Sequence, residues 1–283
     1  MSADRNPLAP SGKDEAYENF PVGSFLLPAA LRPTIAAYYA FARATDDIAD
    51  SPDLSPEEKV TRLQAFDAVV AGGSDDPDYA IATTLRLKLA ERGISDRRAR
   101  DLLIAFTRDA TKTRYDSWDD LIDYCDHSAS PVGRFLLDLH GEDPAGYVAS
   151  DALCNALQVI NHLQDLKADY LEIDRVYLPG DWMTEAGMPV EALGRTSSSP
   201  EVRMVIDRAI AGCDELMKLA RTLPGRLKSR RLAMESAAIV RIADALLARL
   251  RQQDPLARRV RLGKPVYIRC MLSGIFAVLF KNG

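Results

Sequence analysis

Two runs without glycine or proline set the frame into which this chain can fold. Residues 38–50 read Tyr-Tyr-Ala-Phe-Ala-Arg-Ala-Thr-Asp-Asp-Ile-Ala-Asp, and residues 158–169 read Gln-Val-Ile-Asn-His-Leu-Gln-Asp-Leu-Lys-Ala-Asp. Both compositions favour helix. On a helix Tyr39, Arg43, Asp46 and Asp50 share one face, with Asp47 about 100° round from Asp46. In the second run Gln158, Asn161, Asp165 and Asp169 form a similar stripe. Each run thus presents two carboxylates from successive turns, about 6 Å apart along the axis. Like charges at that spacing repel by roughly 0.2–0.5 kcal/mol when exposed, and by more in a cleft. One such pair reads equally well as a solvated acidic helix end. Two pairs, one with an arginine on its face, point to a bound cation. Hard oxygen donors suit Mg²⁺, which binds through few carboxylates plus substrate phosphates. The expectation is a site where Asp46, Asp50, Asp165 and Asp169 hold metal ions that bridge to a diphosphate.

Composition narrows the rest. At 283 residues, 47% hydrophobic and 27% charged, the chain is long enough for a substantial core. A net charge of −5 argues against nucleic acid as a partner. Cys125, Cys154, Cys213 and Cys270 lack metal-ligand spacing, and no secretory signal opens the chain, so free thiols in a reducing cytoplasm are expected. The three histidines are scattered and support neither a zinc site nor a nucleophilic triad. No glycine-rich phosphate loop follows a strand, so no nicotinamide cofactor is implied.

Along the chain, residues 1–16 are polar and read as a flexible N-terminus. A proline-broken apolar lead-in over 18–28 offers Ser24 as an anion contact, or as a loop serine beside the core. The first helix is expected over about 29–50, with Pro33 in its first turn. Ser55-Pro56-Glu57-Glu58 is a helix opening with an N-cap and early acids. Helices follow at about 56–71, 77–92, 96–113 and 117–128. In the helix over 96–113, Asp109, Lys112 and Thr113 fall near one face, followed by Arg114 and Tyr115, as a mixed-charge lip or a solvated helix end. Pro131 and the small residues near it break the pattern over 124–135, as a turn or as room for an apolar ligand. A long helix over 144–171 carries the second Asp pair, and beyond it Arg175 and Tyr177 are placed to reach back to a cavity mouth. Two amphipathic helices cover 200–222 and 227–252. The apolar tail over 265–280 is too short to span a bilayer and reads as a core helix, or as a membrane-surface contact. No stretch shows strand alternation. The fold class is all-α, with no linker dividing the middle of the chain.

With these residues in view the chain resembles the squalene/phytoene synthase family. The resemblance rests on residues 39–50, on Tyr124-Cys125, on Gln164-Asp165-Leu166-Lys167-Ala168-Asp169 and on Arg175-Val176-Tyr177-Leu178-Pro179, in that order, and runs from about residue 18 to 265. Within the family, residues 18–24, 128–134 and 259–265 are similar to a bacterial branch of hopanoid pathways that ionises presqualene diphosphate and traps the cation with water. Two positions depart from the family: Ser128-Ala129-Ser130 stands where Val-Ala-Gly is common, and Asp174 where glycine is common.

The resemblance implies a single isoprenoid synthase domain over 17–283, a helical bundle of class I type around a central cavity. It implies a diphosphate-expelling carbon–oxygen lyase that uses Mg²⁺, with Arg43 and the four aspartates catalytic. Ser24, Tyr39, Lys112, Arg114, Gln158, Asn161, Arg175 and Tyr177 become substrate contacts, Gln158 and Asn161 being candidates to place the water. Its implied place is between an enzyme that makes presqualene diphosphate and a reductase that yields squalene, in the cytoplasm, with loose peripheral contact to the inner membrane face. Two alternatives stay open: a prenyltransferase joining two prenyl diphosphates head to head, which would share every aspartate, and a non-catalytic helical module whose aspartates are solvated.

Overall fold

A computed structural model describes residues 26–280. The expectations for residues 1–16, for the lead-in as far as residue 25 and for Ser24 lie outside the described residues. Among the described residues the chain packs as two compact units, one of residues 29–111 and one of residues 26–28 with 112–280.

The first unit is helical throughout. Helix α1 (Arg32–Asp50) has Pro33 in its first turn, as expected, where its missing N–H costs nothing. Thr34, Tyr38, Phe41, Thr45 and Ile48 bury one face of α1 at steps of three and four. Phe41 meets Phe66 of α2 (Pro56–Val70) edge to face at 5.7 Å, and Tyr38 donates its hydroxyl to the Arg98 carbonyl of α4 (Arg97–Asp109) at 3.1 Å. The opening of α2 is a complete capping box, with Ser55 N–H donating to Glu58 Oε2 at 2.9 Å and Glu58 N–H to Ser55 Oγ at 3.3 Å. The helix expected over 77–92 is a 3₁₀ turn (Pro77–Tyr79) leading into α3 (Ala80–Arg92).

Helix α4 ends at Asp109, short of the expected 113, so Lys112 and Thr113 do not share its face. The cause is local: Thr111 turns both its N–H and its Oγ1 back to the Arg108 carbonyl, at 2.9 and 3.3 Å, and so closes the helix.

The second unit is built around α7 (Tyr147–Ile173), which packs against α5 (Trp118–Ser128), α6 (Ser130–Leu139), α9 (Pro200–Ala220) and α10 (Arg230–Gln252). A short α8 (Gly180–Glu185) packs on α9. The break expected near Pro131 is the joint between α5 and α6 at Ala129, and Pro131 lies in the first turn of α6. The small residues there serve close helix packing rather than an open space. Buried Ser130 donates to Asn155 Oδ1 at 2.9 Å, and a methyl on Gly133 would sit within 3.0 Å of Ser150 Oγ and Cys154 Sγ of α7.

Two short strands, β1 (Arg114–Tyr115) and β2 (Val176–Pro179), form a parallel pair that the sequence reading did not anticipate. Between α7 and β2, Asp174 adopts φ 50, the one left-handed non-glycine residue among those described. The glycine common there in the family has this physical basis, since a side chain costs about 1 kcal/mol in that conformation. After α6, buried Glu142 accepts the N–H groups of Lys228 and Ser229, each at 2.7 Å, and so caps the approach to α10. The last helix, α11 (Lys264–Leu279), is not the core helix expected. Only Cys270 and Gly274 are buried, against α10, and much of its apolar side chain surface lies open.

Candidate active site

In the first unit the α1 face opposite the buried one carries Tyr39, Arg43, Asp46, Asp47 and Asp50, all half-buried. Arg43 holds two carboxylates at once, Asp46 Oδ2 3.4 Å from Nη1 and Asp47 Oδ1 3.6 Å from Nε. The guanidinium therefore offsets the repulsion that the spacing predicted, and does so for Asp47 as well as for the expected Asp46. Asp50 stands one turn on, at the helix end.

In the second unit the polar stripe of α7 is equally distinct. Gln158, Asn161, Asp165 and Asp169 are half-buried, in a helix whose residues 149–166 are otherwise mostly buried. Asp165 is clamped by Arg259, whose Nη2 donates to Oδ2 at 2.7 Å while Nε lies 2.6 Å from Oδ1. Both side chains are about one-fifth exposed, at 18% and 20%, so the pair is only partly screened. Next to it Gln164 donates to the Val260 carbonyl and ties the same loop to α7. Sequence reasoning assigned Arg259 no role, because it lies in a loop far along the chain from Asp165. The available signal was its place at the head of the branch-like stretch 259–265.

Lys112 pairs with Asp120 Oδ1 at 2.6 Å and lies over the Tyr115 ring at 4.9 Å. Arg114 pairs with Asp174 at 2.5 Å. Each of these cations is thus positioned by a carboxylate. Arg175 and Tyr177 are buried rather than open at a surface, with Arg175 Nη1 donating to Tyr177 Oη at 3.2 Å. Tyr177 lies in an aromatic cluster with Tyr115 and Tyr124, and stacks on His162 of α7 at 3.4 Å. Burial, reinforced by the Arg175 charge, pushes the His162 imidazole down to about 3, so it is neutral at physiological pH. His162 therefore packs as a neutral ring between α7 and the tyrosine cluster.

The donor set fits a hard divalent cation in type, since each helix offers ionised oxygens on one face. Among the described residues, no group of three or more His, Cys, Asp or Glu could hold a metal ion. Two carboxylates per helix form no complete cage, and the remaining ligands would have to come from substrate phosphates and water.

The family description "Squalene/phytoene synthase" matches residues 14–265. The chain is 44% identical over 257 residues to a hydroxysqualene synthase of Rhodopseudomonas palustris, covering 90% of this chain and 87% of that one. It is 41% identical over 261 residues to a hydroxysqualene synthase of Sinorhizobium fredii, covering 92% and 88%. Its fold is similar to the crystal structure of squalene synthase HpnC from Alicyclobacillus acidocaldarius, with a TM-score of 0.72, 31% identity, and 82% and 87% of the two chains covered. The all-α architecture, the ordered aspartate motifs and this near full-length similarity together establish that the chain belongs to the squalene/phytoene synthase family.

Proposed function

We propose that the protein is a hydroxysqualene synthase that ionises presqualene diphosphate, releases diphosphate and adds water to the rearranged carbocation. The observation that carries this reading is the 41–44% identity to three hydroxysqualene synthases over about nine-tenths of the chain. The paired aspartates on half-buried faces of α1 and α7 support it.

In this reading Asp46 and Asp50 supply metal ligands from α1, and Asp165 and Asp169 supply them from α7. Bound Mg²⁺ would neutralise the charge that builds on the leaving diphosphate. Arg43, Lys112 and Arg114 bind diphosphate oxygens. Because neighbouring carboxylates hold these cations in place, little reorganisation accompanies C–O cleavage. Ser24 and Tyr39 are further substrate contacts, and buried Arg175 and Tyr177 brace the end of α7 against β2. Gln158 and Asn161, on the stripe that leads to Asp165, orient the trapping water. The water oxygen bonds to the cationic carbon and its proton leaves to the released diphosphate. We place the enzyme in the cytoplasm, in hopanoid-type squalene biosynthesis, after an enzyme that forms presqualene diphosphate and before a reductase that yields squalene. Its contact with the membrane would be peripheral.

The test is incubation with presqualene diphosphate and Mg²⁺ in ¹⁸O-labelled water without nicotinamide. The expected product is an alcohol carrying the label. An unlabelled alcohol, or squalene formed only when a nicotinamide is added, would refute the reading and favour the head-to-head synthase.

A further inference from the structure

Helix α11 poses a packing problem. A helix as rich in apolar side chains as α11 belongs against a core, yet only one narrow side of it is covered. Cys270 and Gly274 face α10, so closely that a methyl on Gly274 would fall within 3.0 Å of the Ala238 backbone. At 100° per residue, Ile268, Leu272, Phe276 and Leu279 lie on the opposite side, with Phe280 at its edge. Ile268 is 55% exposed, Phe276 50% and Phe280 73%. Phe276 and Phe280 stack at 5.8 Å and so present one continuous apolar surface. Contiguous apolar patches on this scale mark interaction sites. Among the described residues, no helix is long and apolar enough to cross a membrane.

The surroundings indicate what covers it. From Arg221 to the end the sequence carries fourteen Lys and Arg against three Asp and Glu, in a chain whose net charge is −5. A cavity of about 710 Å³ between α10, α11 and the turn at 223–225 is lined by Arg221, Lys228, Arg230 and Arg241, and Ala277 of α11 forms part of its wall. The one acid lining it, Asp244, is engaged by Arg221 at 2.6 Å. Lys228, Arg231, Arg241 and Arg269 are exposed and have no ion pair among the described residues.

We propose that the open face of α11 docks in the interface of an anionic bilayer. The apolar side chains would enter the acyl boundary, and the basic residues flanking the cavity would meet lipid phosphates. An interfacial helix needs apolar area together with cationic neighbours, and α11 has both. A second copy of the chain is a poorer occupant, since it would bring the same basic excess to the seam. The inference stands on the helix and the charge distribution, independently of the proposed reaction.

The test is co-sedimentation of the full chain with vesicles of phosphatidylcholine alone, or of phosphatidylcholine mixed with about one-third phosphatidylglycerol. Binding is expected only to the mixed vesicles and is lost in high salt. Leu272→Gln with Phe276→Gln, and separately the triple variant Lys228→Glu, Arg231→Glu, Arg241→Glu, should each weaken binding at least about tenfold. Unchanged circular dichroism and thermal midpoints would show that the variants remain folded. Equal binding to both vesicle types, or undiminished binding by the Leu272/Phe276 variant, would overturn the proposal. So would a chain that binds no vesicles and forms a dimer that the Leu272/Phe276 variant breaks.

Discussion

Replacing Asp165 by Asn separates the structural and chemical roles of one carboxylate. The aspartate meets Arg259 through two short contacts, 2.6 and 2.7 Å, with each side chain only about one-fifth exposed. The amide keeps the shape but removes the charge that faces the half-buried guanidinium. Losing one partner of such a pair costs about 1–3 kcal/mol. For a chain of this size that is roughly 2–4 °C of thermal midpoint per kcal/mol. Asp46→Asn should differ. Asp46 is 35% exposed, its contact with Arg43 is looser, and Arg43 keeps Asp47 at 3.6 Å, so stability should be nearly unchanged. Both variants should lose at least about a hundredfold in Mg²⁺-dependent turnover of presqualene diphosphate, as expected when a preorganised charged group is removed. The double variant Asp165→Asn, Arg259→Gln removes both halves of the ion pair. It should be more stable than the two single losses predict, yet remain inactive. Thermal denaturation and single-turnover kinetics on the wild type, Asp46→Asn, Asp165→Asn, Arg259→Gln and the double variant decide the matter. Near wild-type turnover by Asp165→Asn at saturating Mg²⁺, or strictly additive stability losses, would refute the reasoning.

Two other perturbations test the packing. Burial pushes the Glu235 carboxyl up to about 8, and its Oε2 has no hydrogen-bond partner. The unfolded chain, with a carboxyl near its usual value, therefore binds fewer protons than the fold between about pH 4.5 and 8, and stability falls as pH rises through that window. Glu235→Gln should raise the thermal midpoint at pH 8.5 and leave it unchanged near pH 4.5, and a wild-type midpoint flat across that range would contradict this. Gly133→Ala should destabilise the protein by about 1–3 kcal/mol, because Ser150 Oγ and Cys154 Sγ would both have to move from a buried seam. A denaturant midpoint equal to wild type would show that the seam yields freely.

Most helices were legible because the chain punctuates them. Ser55-Pro56 with Glu58, Ser199-Pro200 and the joint before Pro131 mark boundaries through backbone chemistry that acts within a few residues. The aspartate stripes were legible for the same reason, since helical periodicity alone places Asp46 with Arg43 and Asp165 with Asn161. Tertiary relations were not legible. Arg259 reaches Asp165 from a distant loop, and nothing local to either residue announces the pair. Strands β1 and β2, of two and four residues, are too short to show alternation. The end of α4 was missed because no glycine or proline marks it over 110–113, while Thr111 closes the helix through its own N–H and hydroxyl. Helix α11 was misjudged because composition reports how apolar a helix is, not how many of its sides find partners.

The Glu142 carboxylate bears on how the second unit opens. Glu142 closes the turn after α6 through its own N–H, which donates to the Leu137 carbonyl at 3.0 Å, while its carboxylate holds the two amides that lead into α10, 86 and 87 residues away. If either segment separates alone, a buried charge and two backbone donors lose their partners together, a penalty larger than either segment's own turn would impose. The α6–α7 corner and the first turn of α10 should therefore open as one cooperative unit, although most of α7 and all of α9 lie between them in the chain. Their amides should exchange with solvent at matched rates, and Glu142→Gln should accelerate both sets while α9, the intervening helix, keeps its protection.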